Sequence, residues 1–355
     1  MKTIVKAVAC VLLFAAGVFA QTPPQPREGD FVVNNFHFRS GERLPQLRLH
    51  YATYGKPARD ASGRVTNAVL ILHGTTGSGQ QFTGERFAGV LFGPGQLLDV
   101  QRYYVILPDS IGHGHSSKPS DGLHAHFPHY NYDDMVQAQY LLLTQGLKVN
   151  HLRLVMGTSM GCMHTWIWTE AHPDFMDAAM PLACLPVQIA GRNRMMRKMI
   201  MDSIRGDPQW QGGEYRQQPA GLKSAINVLL IMVSSPLQMQ KNYPTRDQAD
   251  AFLEQFVKTE MGKLDANDTL YAFDASRNYD PSTKLDLIQA PVMFINSADD
   301  QINPPELGVA EREIKKVKKG RFVLLPITDQ TRGHGTHTLP AIWKQYLAEL
   351  LAESR

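Results

Sequence analysis

The feature that most constrains the fold is a short motif near the middle of the chain, where an apolar run leads into two glycines spaced around a serine. The run is Leu154–Met156 and the motif is Gly157–Gly161, with Ser159 at its centre. Between a strand and a helix, G-x-S-x-G is typical of a sharp turn that exposes a nucleophilic serine, and its glycines permit tight packing. The following helix would direct its positive N-terminal end at the reacting oxygen. The motif alone is equally compatible with an ordinary strand-to-helix turn.

Short apolar runs recur on both sides of this motif, each with the length of one buried strand. They alternate with helical patterns, such as the one at 132–145, and so predict an α/β fold with a mostly parallel, doubly wound sheet. Alternating segments at 31–38 and 47–54 predict an antiparallel strand pair, and 340–352 predicts a C-terminal helix. The predicted buried strands lie at 68–72, 103–107, 152–156, 178–183, 292–296 and 322–325.

One long segment, residues 186–281, interrupts this alternation with helical periodicity and no convincing buried strand. Ligands in doubly wound folds bind at the carboxyl edge of the sheet, so we expect this segment to form a helical lid above that edge. The chain then divides into a signal peptide (1–20), a first core part (21–185), the lid (186–281) and a second core part (282–355).

Residues 1–20 have the features of a cleaved signal peptide. Lys2 and Lys6 precede an apolar run from 7 to 19, and small residues suit cleavage near Ala20–Gln21. The run is too short for a comfortable transmembrane helix. We therefore expect a secreted or periplasmic protein without a stable membrane anchor.

The charge balance argues against some classes of partner. Removing Lys2 and Lys6 from the 36 basic residues leaves 34 against 33 acidic ones, a charge near +1. Such a balance argues against a nucleic-acid or anionic-membrane partner. The sequence leaves the oligomeric state open between a monomer and a homodimer.

Two cysteines, Cys162 and Cys184, remain after cleavage of the leader. They could pair in an oxidising compartment, but two cysteines make no disulfide framework. We expect two buried free thiols.

A nucleophilic serine needs a base to take its proton and an acid to orient that base. In enzymes with this serine turn the chain order is serine, acid, histidine, each following a strand. We therefore assign Ser159 as nucleophile, Asp300 as orienting acid and His334 as base, since Asp300 follows the strand at 292–296 and His334 lies in a glycine-flanked loop before the last helix. Asp299 and His337 are the competing candidates, and we expect both to be solvated loop residues.

Acyl transfer also needs two N–H donors for the developing oxyanion, one after the nucleophile and one from the loop after the third strand. Met160 supplies the first. Thr75 is the candidate for the second, with Thr76 as the alternative, because this loop reads His73-Gly74-Thr75. We expect His73 to buttress the turn.

The loop from 112 to 130 is rich in histidine, which raises the question of zinc. No cysteine or dense carboxylate set completes such a site, so we expect a polar loop at the rim of the active site and no metal or organic cofactor. The histidines are His113, His115, His124, His126 and His129.

With these residues assigned, most of the mature chain resembles the homoserine O-acetyltransferase-like branch of the α/β-hydrolase superfamily. The segment Ser159–Gly161 matches the family's serine turn, although the usual second glycine is Cys162 here, and 73–77 is similar to its oxyanion loop. The more specific likeness lies in the lid, at 207–215, 219–222, 265–267, Tyr271 and the segment to Asp280. The resemblance implies an α/β-hydrolase fold and an acyl-transfer scaffold.

Two departures from the family matter. The resemblance implies an Ala-Arg pair soon after the Gly-Leu of the lid, and its arginine would anchor an amino-acid carboxylate. The matching positions here are Ala225 and Ile226, so this arginine is missing. The second departure is at the histidine, where the family's Gly-His-Asp is replaced by Gly-His-Gly at 333–335. We expect most nearby cations to form a solvated helix face and apolar lid residues to line a pocket for an uncharged acyl group. The cations are Arg192, Arg194, Arg197, Lys198 and Lys223; the apolar residues are Leu229, Leu230 and Met232.

The leading interpretation is a secreted serine hydrolase that cleaves an ester, or else an amide or thioester, of a small-molecule acyl substrate through an acyl-enzyme. The second is an acyltransferase that passes the acyl group to a small alcohol. The third is a catalytically silent protein that uses the pocket only for binding.

Overall fold

The computed structural model describes residues 25–354. The predicted signal peptide at 1–20 and its cleavage position therefore lie outside the described residues. Within residues 25–354 the strands are β1 (Arg27–His37), β2 (Arg43–Tyr54), β3 (Ala68–Leu72), β4 (Tyr104–Pro108), β5 (Leu154–Thr158), β6 (Ala179–Leu182), β7 (Val292–Ser297) and β8 (Gly320–Leu325). The α-helices are α1 (Ala88–Leu91), α2 (Tyr132–Leu141), α3 (Met160–Ala171), α4 (Gly191–Arg205), α5 (Ala220–Val233), α6 (Pro236–Asn242), α7 (Arg246–Met261), α8 (Ala266–Asp274), α9 (Val309–Glu313) and α10 (Pro340–Glu353).

The strands form one eight-stranded sheet in the order β1-β2-β4-β3-β5-β6-β7-β8. β1 pairs antiparallel with β2 and β2 with β4, whereas the neighbours from β4 to β8 run parallel. β3 to β7 are buried along their whole length, as expected of strands covered on both faces. The prediction of a mostly parallel α/β-hydrolase sheet is confirmed.

Apolar side chains cover both faces of the sheet. On one face α2 and α3 contribute Met135, Trp166 and Trp168 to a continuous cluster. On the other, α1 and α10 pack through Leu91 and Trp343. These two layers fix the strands so that the carboxyl ends of β3, β5, β6 and β7 meet at one edge.

The helices α4 to α8 lie between β6 and β7 and form what we call the helical insert. Its own apolar cluster includes Ile200, Leu222 and Leu270. Helices α4 and α5 are in extensive contact, and α4 also contacts α8. The insert is therefore a packed unit attached to the sheet by the chain segments after β6 and before β7.

Cys162 and Cys184 form a disulfide, so the expectation of two free thiols is wrong. Cys162 lies in α3, directly after the serine turn, and Cys184 follows β6. Because β5 and β6 are parallel neighbours, the residues just beyond their ends come together, with Cα atoms 5.9 Å apart. The bond joins the first turn of α3 to the segment that leads into the helical insert.

Candidate active site

The serine turn has the backbone geometry that its glycines require. Ser159 has φ 55° and ψ −109°, a conformation that costs energy for a residue with a side chain. A Cβ atom on Gly157 would lie 2.1 Å from the Gly161 carbonyl oxygen, and one on Gly161 would lie 2.0 Å from the Leu72 carbonyl oxygen. Both glycines of the motif are therefore required for steric reasons, because a larger side chain at either position would clash with the turn itself or with the end of β3.

The structure brings the side chains of Ser159, His334 and Asp300 together. The Ser159 hydroxyl lies 2.8 Å from His334 Nε2, and His334 Nδ1 lies 2.8 Å from Asp300 Oδ2. Asp300 follows β7 and His334 lies between β8 and α10, so three separate strand ends contribute one residue each. With a proton on Nδ1, the histidine donates to the carboxylate and presents Nε2 as an acceptor for the hydroxyl proton.

The Asp300 carboxylate is buried, with 1% of its surface exposed. It accepts hydrogen bonds from the Ile302 N–H at 2.8 Å and from Asn303 Nδ2 at 2.9 Å, in addition to the one from His334. Burial raises the pKa of Asp300, but the attraction of His334 and these hydrogen bonds outweigh it and hold the pKa below its usual value. The group therefore remains a carboxylate beside the histidine.

The competing residues Asp299 and His337 are half-buried, so the expectation of freely solvated loop residues holds only in part, and both have defined contacts. Asp299 accepts hydrogen bonds from Ser297 Oγ at 2.6 Å and from the Gly333 N–H at 2.8 Å. The His337 ring packs edge-on against His334, with centroids 5.0 Å apart. Burial, and then the charge of His334, lower the pKa of His337 to about 3, so that ring is neutral.

The two predicted oxyanion donors lie beside Ser159. Gly74 is so close to the serine that a Cβ on it would lie 3.5 Å from Ser159 Cβ, and Thr75 follows it. Within residues 25–354 the Thr75 N–H donates to no other backbone or side-chain group, and the Met160 N–H belongs to the first turn of α3, where helix donors have no partner within the helix. Both remain available to an oxygen bound next to Ser159.

Two histidines hold the loop that carries Thr75. His73 Nδ1 donates to the Gly74 carbonyl at 2.8 Å and its Nε2 accepts from the Ser110 N–H at 3.0 Å. These contacts fit the predicted buttressing role, and burial lowers the pKa of His73 to about 4. His113 Nε2 lies 2.7 Å from the Thr75 carbonyl oxygen. Sequence reasoning missed this role of His113, because it depends on two loops from different strands meeting.

The other histidines of the 112–130 loop point to different surroundings. His115 packs edge-on against His50 and His129 stacks on Tyr271, while His126 lies 3.8 Å from Glu214. Within residues 25–354 no group of three or more His, Cys, Asp or Glu side chains is arranged to hold a metal ion.

Ser159 and His334 open into a cavity of about 600 Å³ between the sheet edge and the helical insert. Its wall is largely apolar, and Leu229 and Met232 line it as expected, whereas Leu230 does not. Cys184, one half of the disulfide, lines it as well. The wall contains no aspartate or glutamate among the described residues; its cations are Arg192 and Arg197.

Arg197 is the exception to the prediction that most of the nearby cations form a solvated helix face, since Arg192, Lys198 and Lys223 are exposed. It has 3% of its surface exposed and lines the cavity. It belongs to the buried side of α4, with Ile200 and Ile204 three and seven residues further on, and this spacing is the sequence signal that could have identified it. Ile226, at the position of the family's arginine, is buried in the insert's apolar cluster and does not line the cavity.

Comparison with known proteins is consistent with this arrangement. Residues 67–326 match a family model described as alpha/beta hydrolase fold. A homoserine O-acetyltransferase of Pelobacter propionicus is 31% identical over 337 residues, covering 84% of this chain and 89% of that protein. The structure of a homoserine O-acetyltransferase from Bacillus anthracis superimposes with a TM-score of 0.79 at 20% identity, covering 92% of this chain and 97% of that one. Esterase E22 superimposes with a TM-score of 0.78 at 20% identity, covering 92% and 100%. At 20% identity the two superpositions show a shared fold.

Proposed function

The chain belongs to the alpha/beta hydrolase fold family, in its homoserine O-acetyltransferase-like branch, and on this premise we propose that it is a serine hydrolase that cleaves an ester through an acyl-enzyme. The observation that carries the proposal is the 2.8 Å contact between Ser159 Oγ and His334 Nε2 inside the cavity. A serine hydroxyl becomes a competent nucleophile when a base in hydrogen-bond contact takes its proton.

In the first half of the reaction, Ser159 Oγ attacks the ester carbonyl carbon while its proton moves to His334 Nε2. The carbonyl oxygen becomes an oxyanion, which the N–H groups of Thr75 and Met160 stabilise. The imidazolium of His334 is stabilised by the Asp300 carboxylate, and it then gives its proton to the departing alcohol oxygen as the C–O bond breaks. The alcohol leaves and the acyl group remains on Ser159.

In the second half, a water molecule gives a proton to His334 Nε2 and its oxygen attacks the acyl carbon. The same two N–H groups stabilise the second oxyanion. His334 then returns the proton to Ser159 Oγ as the bond from Ser159 to the acyl carbon breaks. The carboxylic acid is released and the serine hydroxyl is restored.

The second candidate is an acyltransferase, in which a small alcohol replaces water in this last step; the 31% identical homoserine O-acetyltransferase favours it. Homoserine is an amino acid, and a buried zwitterion needs a partner for each charge. The position of the family's arginine is Ile226, and although Arg197 lines the cavity, the described cavity wall offers no carboxylate for an ammonium group. These features favour water, or an alcohol other than an amino acid, as the acceptor.

We further propose that the protein is exported. The leader at 1–20 supports this, and so does the Cys162–Cys184 disulfide, because disulfides persist in oxidising compartments.

The test compares acceptors directly. The purified mature protein is given 4-nitrophenyl acetate, butyrate and octanoate with and without methanol, and separately acetyl-CoA with homoserine. We expect release of free acid from at least one ester, and negligible O-acetylhomoserine. Formation of O-acetylhomoserine faster than ester hydrolysis would instead establish the transferase.

A further inference from the structure

Resting on the proposed ester hydrolysis, we infer that the substrate is an ester carrying an anionic group, and that Arg197 binds this group at the insert side of the cavity. The acid class that fits is a carboxylate without a neighbouring ammonium.

The first observation is that Arg197 is a buried cation whose charge has no anionic partner among the described residues. An arginine side chain carries a permanent positive charge in proteins. Arg197 therefore places a charge in the interior, with only 3% of its surface exposed. Two acids of the insert, Asp202 and Asp274, are paired with other cations, Lys198 and Arg277. A buried charge without a partner costs free energy. Arg197 lines the cavity, so an anionic ligand bound there could supply that partner.

The second observation is that the guanidinium is held in a fixed orientation. Arg197 Nε donates to Asn193 Oδ1 at 3.0 Å, and Nη1 donates to Ser276 Oγ at 3.1 Å. The group also lies over the Phe273 ring, 5.5 Å from its centroid. Nη2 has no acceptor within residues 25–354. This donor is therefore positioned before any ligand arrives, which reduces the entropy lost on binding.

The third observation concerns the charge of the whole wall. Asn193 lines the same cavity, and because its oxygen accepts from Arg197, its amide nitrogen remains as a further donor. Arg192 is a second cation at the rim of the cavity, and its guanidinium donates a hydrogen bond to the Gln301 carbonyl oxygen. Within the described residues no acidic side chain lines the cavity, so an anion is attracted and an ammonium group is not.

The experiment uses two pairs of esters, each an anion with its neutral carboxamide counterpart. Monomethyl adipate and methyl adipamate place the group on the acyl side; 6-acetoxyhexanoate and 6-acetoxyhexanamide place it on the alcohol side. We expect the wild type to favour the carboxylate in at least one pair by about tenfold or more in kcat/KM, as for a charge-assisted hydrogen bond. The pair that shows the preference identifies whether Arg197 binds an anionic group on the acyl part or on the alcohol part of the ester.

The variants assign the preference to one residue. Arg197→Met should lower kcat/KM for the favoured carboxylate by about tenfold to a hundredfold while changing its carboxamide counterpart by less than about threefold. Arg197→Lys should retain part of the preference, because it keeps the charge but not the fork geometry. Arg194→Met, which removes an arginine of the same helix outside the cavity, is the matched control and should leave both substrates unchanged.

Equal losses for both members of a pair in Arg197→Met would show that Arg197 only supports the helical insert, and a wild-type preference for the carboxamides would exclude an anion site. Binding to Ser159→Ala, measured by calorimetry, separates this proposal from the proposed hydrolysis. If the wild type cleaves no ester but Ser159→Ala binds a carboxylate ester better than its carboxamide, and loses this difference with Arg197→Met, the hydrolase proposal fails and the anion site stands. If Ser159→Ala binds carboxylate and carboxamide equally, the anion site is overturned whatever the activity.

Discussion

Asp299 Oδ2 accepts a hydrogen bond of 2.8 Å from the backbone N–H of Gly333, the residue directly before His334. Its neighbour Asp300 bonds the imidazole of His334 itself at 2.8 Å. The two adjacent carboxylates thus have different partners: Asp299 binds the backbone of the histidine loop, and Asp300 binds the imidazole ring. Gly333 has φ 58° and lies against the Asp299 and Ser234 carbonyl oxygens, so the loop is closely fitted there.

This division predicts unequal effects of neighbouring substitutions. His334→Ala and Asp300→Asn should each reduce kcat by several orders of magnitude, because they remove the base or its partner. His337→Ala and Asp299→Asn should cost about tenfold or less, since they alter only the support of the loop. Steady-state kinetics on one good ester decides this. A larger loss for His337→Ala than for His334→Ala would reverse the histidine assignment.

The serine turn predicts a steric effect on stability. Gly161→Ala should lower the free energy of unfolding by on the order of 3 kcal/mol or prevent folding, because its Cβ would lie 2.0 Å from the Leu72 backbone oxygen. Gly84→Ala is the control, as no heavy atom lies within 4 Å of the added Cβ. Urea denaturation measures both, and equal stabilities for the two variants would contradict the close packing.

The disulfide predicts a second stability difference. Replacing both Cys162 and Cys184 with alanine should lower the free energy of unfolding by about 3 kcal/mol, the loss expected for a closed loop of this length. A reductant should destabilise the oxidised wild type and leave the double variant unaffected. Thiol counting before and after reduction checks the premise; two free thiols in an unreduced protein comprising residues 21–355 would show that the bond is not formed.

Two histidines with lowered pKa values, His73 and His337, predict acid sensitivity. The folded-state pKa values of His73 and His337 are about 4 and about 3, below the ordinary value of 6.5. The unfolded chain therefore binds more protons below pH 6.5, so stability present above that pH is lost as the pH falls, by up to about 1.4 kcal/mol per pH unit for each histidine. Denaturation in urea at pH 7 and pH 5 measures the loss. His337→Gln should reduce it, and a loss identical to that of the wild type would contradict the assignment.

The sequence predicted the sheet, the serine turn and the acid and histidine loops, because each depends on local patterns: buried strand runs, a glycine spacing and polar residues at strand ends. It did not predict the Cys162–Cys184 bond, since that depends on which strands are neighbours beyond their ends. The role of His113 likewise depends on two loops meeting. Arg197 is different: its spacing to Ile200 and Ile204 indicates the buried side of α4, but the general preference of charged side chains for solvent predicts the opposite.

The proposed function depends on Ser159 being the nucleophile. Mass spectrometry of a protein comprising residues 21–355 tests this assignment after treatment with a fluorophosphonate, for the wild type and for Ser159→Ala, with circular dichroism to show that both are folded. We predict one adduct in the wild type, mapped to the peptide containing Ser159, and none in the alanine variant. An unlabelled wild type, or an adduct that persists in Ser159→Ala, would contradict the account.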